Sequence, residues 1–153
     1  TNNPNAGGID ICKDQALDCK IIDNNRFDDR IEFDKKIDQY LTTIEPDFII
    51  LAGYMRILSS FLVDNWEGQI INVHPSLLPK YPGLNTHQRA LDAGDRYHGT
   101  TIHFVTSELD DGPIIRQESF KIEPSDDPDS LMNKIKEIEH RIYPETISFL
   151  KKQ

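Results

Sequence analysis

The chain has 153 residues, of which 37% are hydrophobic and 28% charged, and its formal net charge is −9. This length can bury a sizeable core, and we expect residues 1–153 to form a single domain. The acidic balance argues against a nucleic-acid partner, because nucleic-acid binders present basic surface. We find no apolar run long enough to span a bilayer and no secretory signal pattern, so we expect a cytoplasmic protein without a membrane partner.

The first half of the chain alternates helix and strand patterns. The predicted elements are a short helix over 9–16, a brief strand at Lys20–Ile22, a helix over 27–44, a strand over 48–52, a turn and short helix over 55–66, and a strand over 69–73. The continuous apolar run at 48–52 is typical of a parallel strand buried on both faces. This alternation predicts an α/β fold with a mostly parallel twisted sheet flanked by helices.

The second half begins with a long loop, residues 74–98, which contains a predicted helix over 86–93 closed by Gly94. Alternating strands over 100–106 and 113–122 are close enough in sequence to form an antiparallel hairpin. Asp127 and Pro128 are a typical helix start, and the apolar residues that follow them at helical spacing predict a final helix. We expect Pro144 to kink that helix.

Two polar side chains, Asn72 and His74, end the strand before the long loop. Because strand side chains alternate, both point to the same face, and ligands of α/β sheets bind outside the carboxyl ends of strands. The ordinary alternative is a turn asparagine and a loop histidine. The proline-rich apolar loop that follows would shield this pair from water, which favours a functional role.

An acidic turn between the last two predicted strands supplies a third candidate, Asp110, followed at once by Asp111. A solvated hairpin turn is the simpler interpretation. The functional alternative is a carboxylate that orients His74. His98 and His103 are weaker candidates, and Cys12 and Cys19 form neither a CxxC pair nor a zinc set. We therefore expect no metal site.

Two long segments resemble the signatures of the 10-formyltetrahydrofolate-dependent formyltransferases. The first is Asn72-Val73-His74-Pro75-Ser76-Leu77-Leu78-Pro79, and the second runs from His103 to Ile115. The segment Lys80-Tyr81-Pro82-Gly83-Leu84 is similar to the glycinamide ribonucleotide branch of that family. The resemblance implies formyl transfer from 10-formyltetrahydrofolate, as co-substrate, to the amine of glycinamide ribonucleotide in purine biosynthesis. We expect a monomer or homodimer, and the reaction needs no metal.

The resemblance also implies roles for individual residues. The implied catalytic trio is Asn72, His74 and Asp110, and Asp111 stands where this branch often has glycine. The implied folate contacts are Met55, Arg56, Ile57 and Leu58, together with Asn72 and Asp110, and the implied ribonucleotide contacts are Glu139, Lys136 and Pro75. The family begins with a strand and a phosphate-binding loop that this sequence does not contain, and we expect them to precede Thr1 in a longer chain.

Three other functions stay open at this stage. A formyltetrahydrofolate deformylase would use water as the acceptor, although its signature usually departs from the Pro-Ser-Leu-Leu-Pro that follows His74 here. A methionyl-tRNA formyltransferase would need basic surface, which the net charge of −9 disfavours. A folate-binding module without catalysis would not need all three candidate catalytic residues.

Overall fold

The computed structural model describes residues 1–152. The chain divides into two compact units, the first formed by Thr1–Pro46 and Leu58–Asn65 and the second by Asp47–Ile57 and Trp66–Gln153. Our expectation of a single domain over residues 1–153 stays a prediction.

The first unit is helical, with α1 at Gly8–Asp14, α2 at Arg30–Ile44 and α3 at Ser60–Asn65. Helix α2 begins later than predicted because the Asp29 carboxylate caps it by accepting a hydrogen bond from the backbone N–H of Ile31. Inside this unit the buried carboxylate of Asp34 accepts from the backbone N–H of Ser59 at 2.6 Å, which joins α2 to the start of α3.

The predicted strand at Lys20–Ile22 is wrong. These residues are extended but form no strand. Their backbone bonds run to Thr1, whose nitrogen donates to the carbonyl of Lys20 at 2.8 Å and whose carbonyl accepts from Ile22 at 3.0 Å. Contact with one residue does not build a ladder, and two apolar residues are too few to bury a strand, so Ile21 stays 42% exposed.

The second unit contains a four-stranded sheet in the order β1-β2-β3-β4. The strands are β1 at Ile49–Leu51, β2 at Ile70–His74, β3 at Tyr97–Phe104 and β4 at Ile114–Lys121, and the helices are α4 at Thr86–Asp92 and α5 at Pro128–Leu150. Strands β1 and β2 are parallel, whereas the β2–β3 and β3–β4 pairs are antiparallel, so the sheet of the described residues is mixed and not mostly parallel as predicted. The predicted α/β class, the closing hairpin and the C-terminal helix are confirmed.

Helix α5 packs its apolar stripe on the sheet. Asp127 caps it as predicted, accepting from the backbone N–H of Ser130, and the helix continues through Pro144. Ile142 and Tyr143 form a buried cluster with Ile71 of β2 and Ile102 of β3. The Tyr143 hydroxyl lies 2.9 Å from the carbonyl of Leu51 and 3.0 Å from that of Ile71. This polar contact fixes α5 against the two parallel strands, next to the end of β2 that carries the candidate site.

Across residues 1–152, none of the helices combines the length and the apolar character that crossing a membrane requires.

Candidate active site

One face of the sheet collects the polar residues at the end of β2. Asn72 lies opposite His103 of β3 and His74 lies opposite Thr101, so all four side chains share that face. His74 and His103 are buried, and Asn72 is half-buried. The predicted common face of Asn72 and His74 is therefore present, and the antiparallel partner strand adds a second histidine to it.

His74 is held between two acceptors. Its Nε2 lies 2.9 Å from the carbonyl oxygen of Tyr81, and its Nδ1 lies 3.4 Å from Oδ2 of Asp110. A neutral imidazole carries only one N–H and can satisfy only one acceptor, whereas the cationic ring donates to both. Both acceptors can therefore be served at once only by a His74 ring with hydrogen on both nitrogens.

Asp110 reaches this position from the turn between β3 and β4. Its backbone is left-handed, with φ of +53°, and its Oδ2 also accepts from the backbone N–H of Gly83 at 2.8 Å. Gly112 packs so tightly that an added Cβ would lie 1.7 Å from the carbonyl oxygen of Phe104, so the turn requires glycine there. Asp111 is exposed. Of the two adjacent aspartates it is thus Asp110 that lies beside His74, while its catalytic role stays a prediction.

His103, a weaker candidate on sequence grounds, lies directly opposite Asn72 in the site. Its Nδ1 lies 2.8 Å from the carbonyl of Phe104 and its Nε2 lies 3.4 Å from the Asn72 amide nitrogen, so Nδ1 donates and Nε2 accepts. Burial, the largest cause, lowers the pKa of His103. A neutral His103 with one fixed tautomer can orient the Asn72 amide. Only the register of β2 against β3 places His103 opposite Asn72, and the sequence alone does not give that register.

Glu139 on α5 is half-buried, not part of a solvated helix face. Its Oε1 lies 3.0 Å from the hydroxyl of Thr100, which in turn lies 3.0 Å from the carbonyl oxygen of His74. Burial raises the pKa of Glu139. Lys136 is exposed one turn earlier on α5, and Pro75 is half-buried directly after His74. The structure thus links Glu139 to the backbone of the catalytic candidate through one hydroxyl.

The predicted folate segment follows β1. Met55 is 78% exposed and Ile57 is 59% exposed, which is unusual for large apolar side chains, while Arg56 and Leu58 are half-buried. Leu58 belongs to the first compact unit and the other three residues to the second. Their role as folate contacts stays a prediction.

A second pair of histidines, His87 of α4 and His98 of β3, lies in the same unit. Nδ1 of His87 is 3.0 Å from Nε2 of His98. Burial first, and the neighbouring His87 second, lower the pKa of His98 to about 4. Burial also lowers the pKa of His87. In the described part of the chain, no group of three or more His, Cys, Asp or Glu side chains is placed to hold a metal ion.

Comparison with known proteins shows the family to which this chain is similar. Residues 1–147 match the model of the formyl transferase family. The chain is 40% identical over 149 residues to the phosphoribosylglycinamide formyltransferase of Escherichia coli (strain K12), covering 97% of this chain and 70% of that protein. It is 39% identical over 150 residues to the trifunctional purine biosynthetic protein adenosine-3 of Gallus gallus, covering 98% of this chain and 15% of that protein.

Solved structures agree with these matches. The phosphoribosylglycinamide formyltransferase of Coxiella burnetii, solved in complex with CHES, superposes with a TM-score of 0.92 at 41% sequence identity. The superposition covers 97% of this chain and 70% of that one. The sequence match over nearly the whole chain and the shared fold lead to one conclusion: this chain belongs to the formyl transferase family.

Proposed function

We propose that this protein transfers the formyl group of 10-formyltetrahydrofolate to the amine of glycinamide ribonucleotide, giving the N-formyl product in purine biosynthesis. The observation that carries the proposal is the buried His74 ring, which has an acceptor at each nitrogen and Asn72 on the same face. This arrangement provides two hydrogen-bond donors for the oxygen of a reacting carbonyl group. The identity to two relatives named for this chemistry or for purine biosynthesis supports the choice of substrates.

The reaction starts when the amine nitrogen attacks the formyl carbon, so that the carbonyl oxygen becomes an oxyanion. The Asn72 amide donates one hydrogen bond to that oxygen, and the protonated His74 ring donates a second, charged one. The contact of 3.4 Å between His74 Nδ1 and Asp110 is long for a charge-assisted hydrogen bond. The Nδ1 hydrogen is therefore loosely held and available to the oxyanion.

The tetrahedral intermediate then collapses with loss of N10 of the folate. The bond between the formyl carbon and N10 breaks, the new amide bond remains, and the proton lost by the attacking amine ends on N10. Asp110 is the base that relays this proton, directly or through one water molecule, and it keeps its charge over the cycle. No covalent intermediate with the protein is required.

The two substrates are held by separate parts of the site. The backbone of residues 55–58 contacts the pterin, and the exposed apolar side chains of Met55 and Ile57 supply surface that a ring can cover. Glu139, with Lys136 and Pro75, contacts the ribonucleotide. The carboxylate of Glu139, half-buried and bonded to Thr100, is placed to accept hydrogen bonds from ligand hydroxyl or amine groups.

An assay of the purified protein tests the proposal. Loss of the formyl group from 10-formyltetrahydrofolate is followed with glycinamide ribonucleotide, with water as the only acceptor, and with the ribonucleotide alone. We expect one formylated ribonucleotide for each folate consumed and little formate without the amine. Formate release at the same rate without the amine would identify a deformylase, and binding without turnover would identify a folate-binding module.

A further inference from the structure

The backbone of Tyr81 is in an unusual conformation. Its φ is +57°, in the left-handed region that aromatic residues rarely adopt. Its carbonyl oxygen is the group that lies 2.9 Å from Nε2 of His74. Such a conformation costs free energy and persists only where surrounding contacts impose it. Contacts elsewhere must therefore hold Tyr81 in place.

Asp95, in the connection between α4 and β3, supplies these contacts. Its two carboxylate oxygens accept from Nζ of Lys80 at 2.8 and 2.9 Å, and Oδ2 also accepts from the Tyr81 hydroxyl at 2.9 Å. The Asp95 side chain is only 18% exposed. The hydrogen bond from Lys80 is the largest cause that lowers the pKa of Asp95, so the carboxylate is charged at neutral pH. The Asp95 carboxylate thus holds Lys80 and Tyr81, two consecutive residues of the turn that contacts His74.

Arg89 of α4 braces the same turn from a second side. Its guanidinium donates to the carbonyl of Pro82 at 2.6 Å and lies 5.2 Å from the centre of the Tyr81 ring. The side chain of Ser76 adds a bond to the carbonyl of Lys80 at 2.6 Å. All of these groups act on the turn, whereas the turn itself contacts His74. The path from Asp95 to the imidazole runs through the Tyr81 backbone.

We propose that Asp95 is a positioning residue for formyl transfer. By fixing the Lys80–Tyr81 turn it holds the Tyr81 carbonyl on Nε2 of His74, which keeps the ring oriented with Nδ1 toward Asp110 and the reacting carbon. This inference rests on the proposed function, because it assigns a purpose to the orientation of His74. It predicts that Asp95 affects the chemical step and leaves the folate contacts of residues 55–58 intact.

The kinetic test compares four variants with the wild-type protein. We expect Asp95→Ala to lower kcat about tenfold to a hundredfold, the loss that follows from a slightly misplaced catalytic group, with little change in the KM for 10-formyltetrahydrofolate. Asp95→Asn keeps an acceptor for the Tyr81 hydroxyl and should recover part of the loss. Tyr81→Phe removes only that bond and should have the smallest effect. The matched control is Asp92→Ala, which removes an exposed carboxylate of α4 that accepts from Gln88.

A second readout does not depend on activity. Trypsin cleaves after Lys80 only when the turn opens, so we expect Asp95→Ala to be cut there faster than wild type and Asp92→Ala to be cut at the wild-type rate. If the Ala variant does not fold, the Asn and Phe variants carry the same comparison.

The two proposals fail in different ways. Unchanged kcat in Asp95→Ala, in a protein that loses activity with His74→Ala, would overturn the role of Asp95 and leave the proposed function standing. A fall in kcat accompanied by an equally large rise in the KM for 10-formyltetrahydrofolate would also overturn the role of Asp95, because it would indicate a general loss of structure. A wild-type protein without formyl transfer would contradict the proposed function, and equal trypsin cleavage of all variants would then reject the anchoring by Asp95 as well.

Discussion

Two pairs of buried or half-buried histidines lie in the second unit, and they differ in the groups that face their ring nitrogens. His74 has a carbonyl at one nitrogen and a carboxylate at the other. His103, close by, has a carbonyl at one nitrogen, and at the other the donating Asn72 amide at 3.4 Å lies closer than Oδ1 of Asp110 at 3.8 Å. His87 and His98 face each other, so one must donate and the other accept. Of these four rings, only His74 has oxygen acceptors and no donor at both nitrogens, although all four are buried or half-buried.

Burial alone does not favour the protonated form of a histidine ring. Burial lowers the pKa of His98 and of His103, and in His103 the nearby Asp110 only partly opposes it. The protonated ring has two N–H groups, and a second acceptor at the other ring nitrogen allows both of them to donate. Asp110 and Tyr81 provide these acceptors for His74, and both adopt left-handed backbone to do so. In the described part of this unit, two of the three non-glycine residues with left-handed backbone thus contact the candidate catalytic histidine, and the third is Asn85.

The largest expected effect comes from removing either the His74 ring or the Asp110 carboxylate beside it. His74→Ala and Asp110→Ala should each lower kcat by about 10²–10⁴, because a charged donor and its carboxylate are lost, while folate binding largely survives. Steady-state kinetics and equilibrium folate binding measure both quantities. Asp111→Ala is the matched control, since it removes the exposed neighbouring carboxylate. Near-normal turnover in either of the first two variants would remove the catalytic assignment.

The next effect tests the neutral donor on the same face. Asn72→Ala should lower kcat by about 10²–10³, the usual cost of losing one donor to an oxyanion. The KM for the ribonucleotide should change less than kcat, because the interaction strengthens in the transition state. A variant that raises KM while keeping kcat would show that Asn72 binds substrate without stabilising the oxyanion.

The second histidine pair gives a stability prediction. The pKa of folded His98 is about 4 against an ordinary value of 6.5, so between these pH values the unfolded chain binds a proton that the folded chain does not. The free energy of unfolding should therefore fall as the pH is lowered through this window, by up to about 3 kcal/mol from His98.

Urea unfolding at pH 7 and at pH 4.5 measures this dependence. His98→Gln should show a smaller loss of stability than wild type over that interval, and His140→Gln, which changes an exposed histidine of α5, should follow the wild type. An equal loss in His98→Gln and wild type would contradict a neutral, buried His98.

The smallest expected effect concerns His103. Because it orients Asn72 and stays neutral, His103→Gln should lower kcat about tenfold or less, well below the effect of His74→Ala. The pH dependence of kcat should keep the wild-type form. A loss as large as that of His74→Ala would mean that His103 itself touches the reacting atoms.

Most of the fold could be predicted from local pattern. Helix α5 was predictable because Asp127 and Pro128 define its start and Leu131, Ile135 and Ile142 are buried at helical spacing. The hairpin of β3 and β4 followed from two alternating runs joined by a short turn. The prediction of a strand at Lys20–Ile22 was wrong because two apolar residues do not specify a partner strand.

The site was predictable where the groups lie close in sequence. Asn72 and His74 share a face because they are two positions apart on one strand. The contacts of His74 with Tyr81 and of Asn72 with His103 depend on loop conformation and on strand register. Neither follows from spacing, so the roles of Tyr81 and His103 required the structure, whereas Asp110 was predicted from the sequence as the carboxylate that orients His74.

The most direct test of the central comparison is the protonation of the histidine rings. Nitrogen-15 NMR of histidine-labelled protein near neutral pH distinguishes a ring with hydrogen on both nitrogens from one with a bare nitrogen. We expect His74 to carry both hydrogens, with the Nδ1 signal changed in Asp110→Ala, and His98 to have one bare nitrogen. A bare Nδ1 on His74 in the wild-type protein would contradict its assignment as the charged donor of formyl transfer.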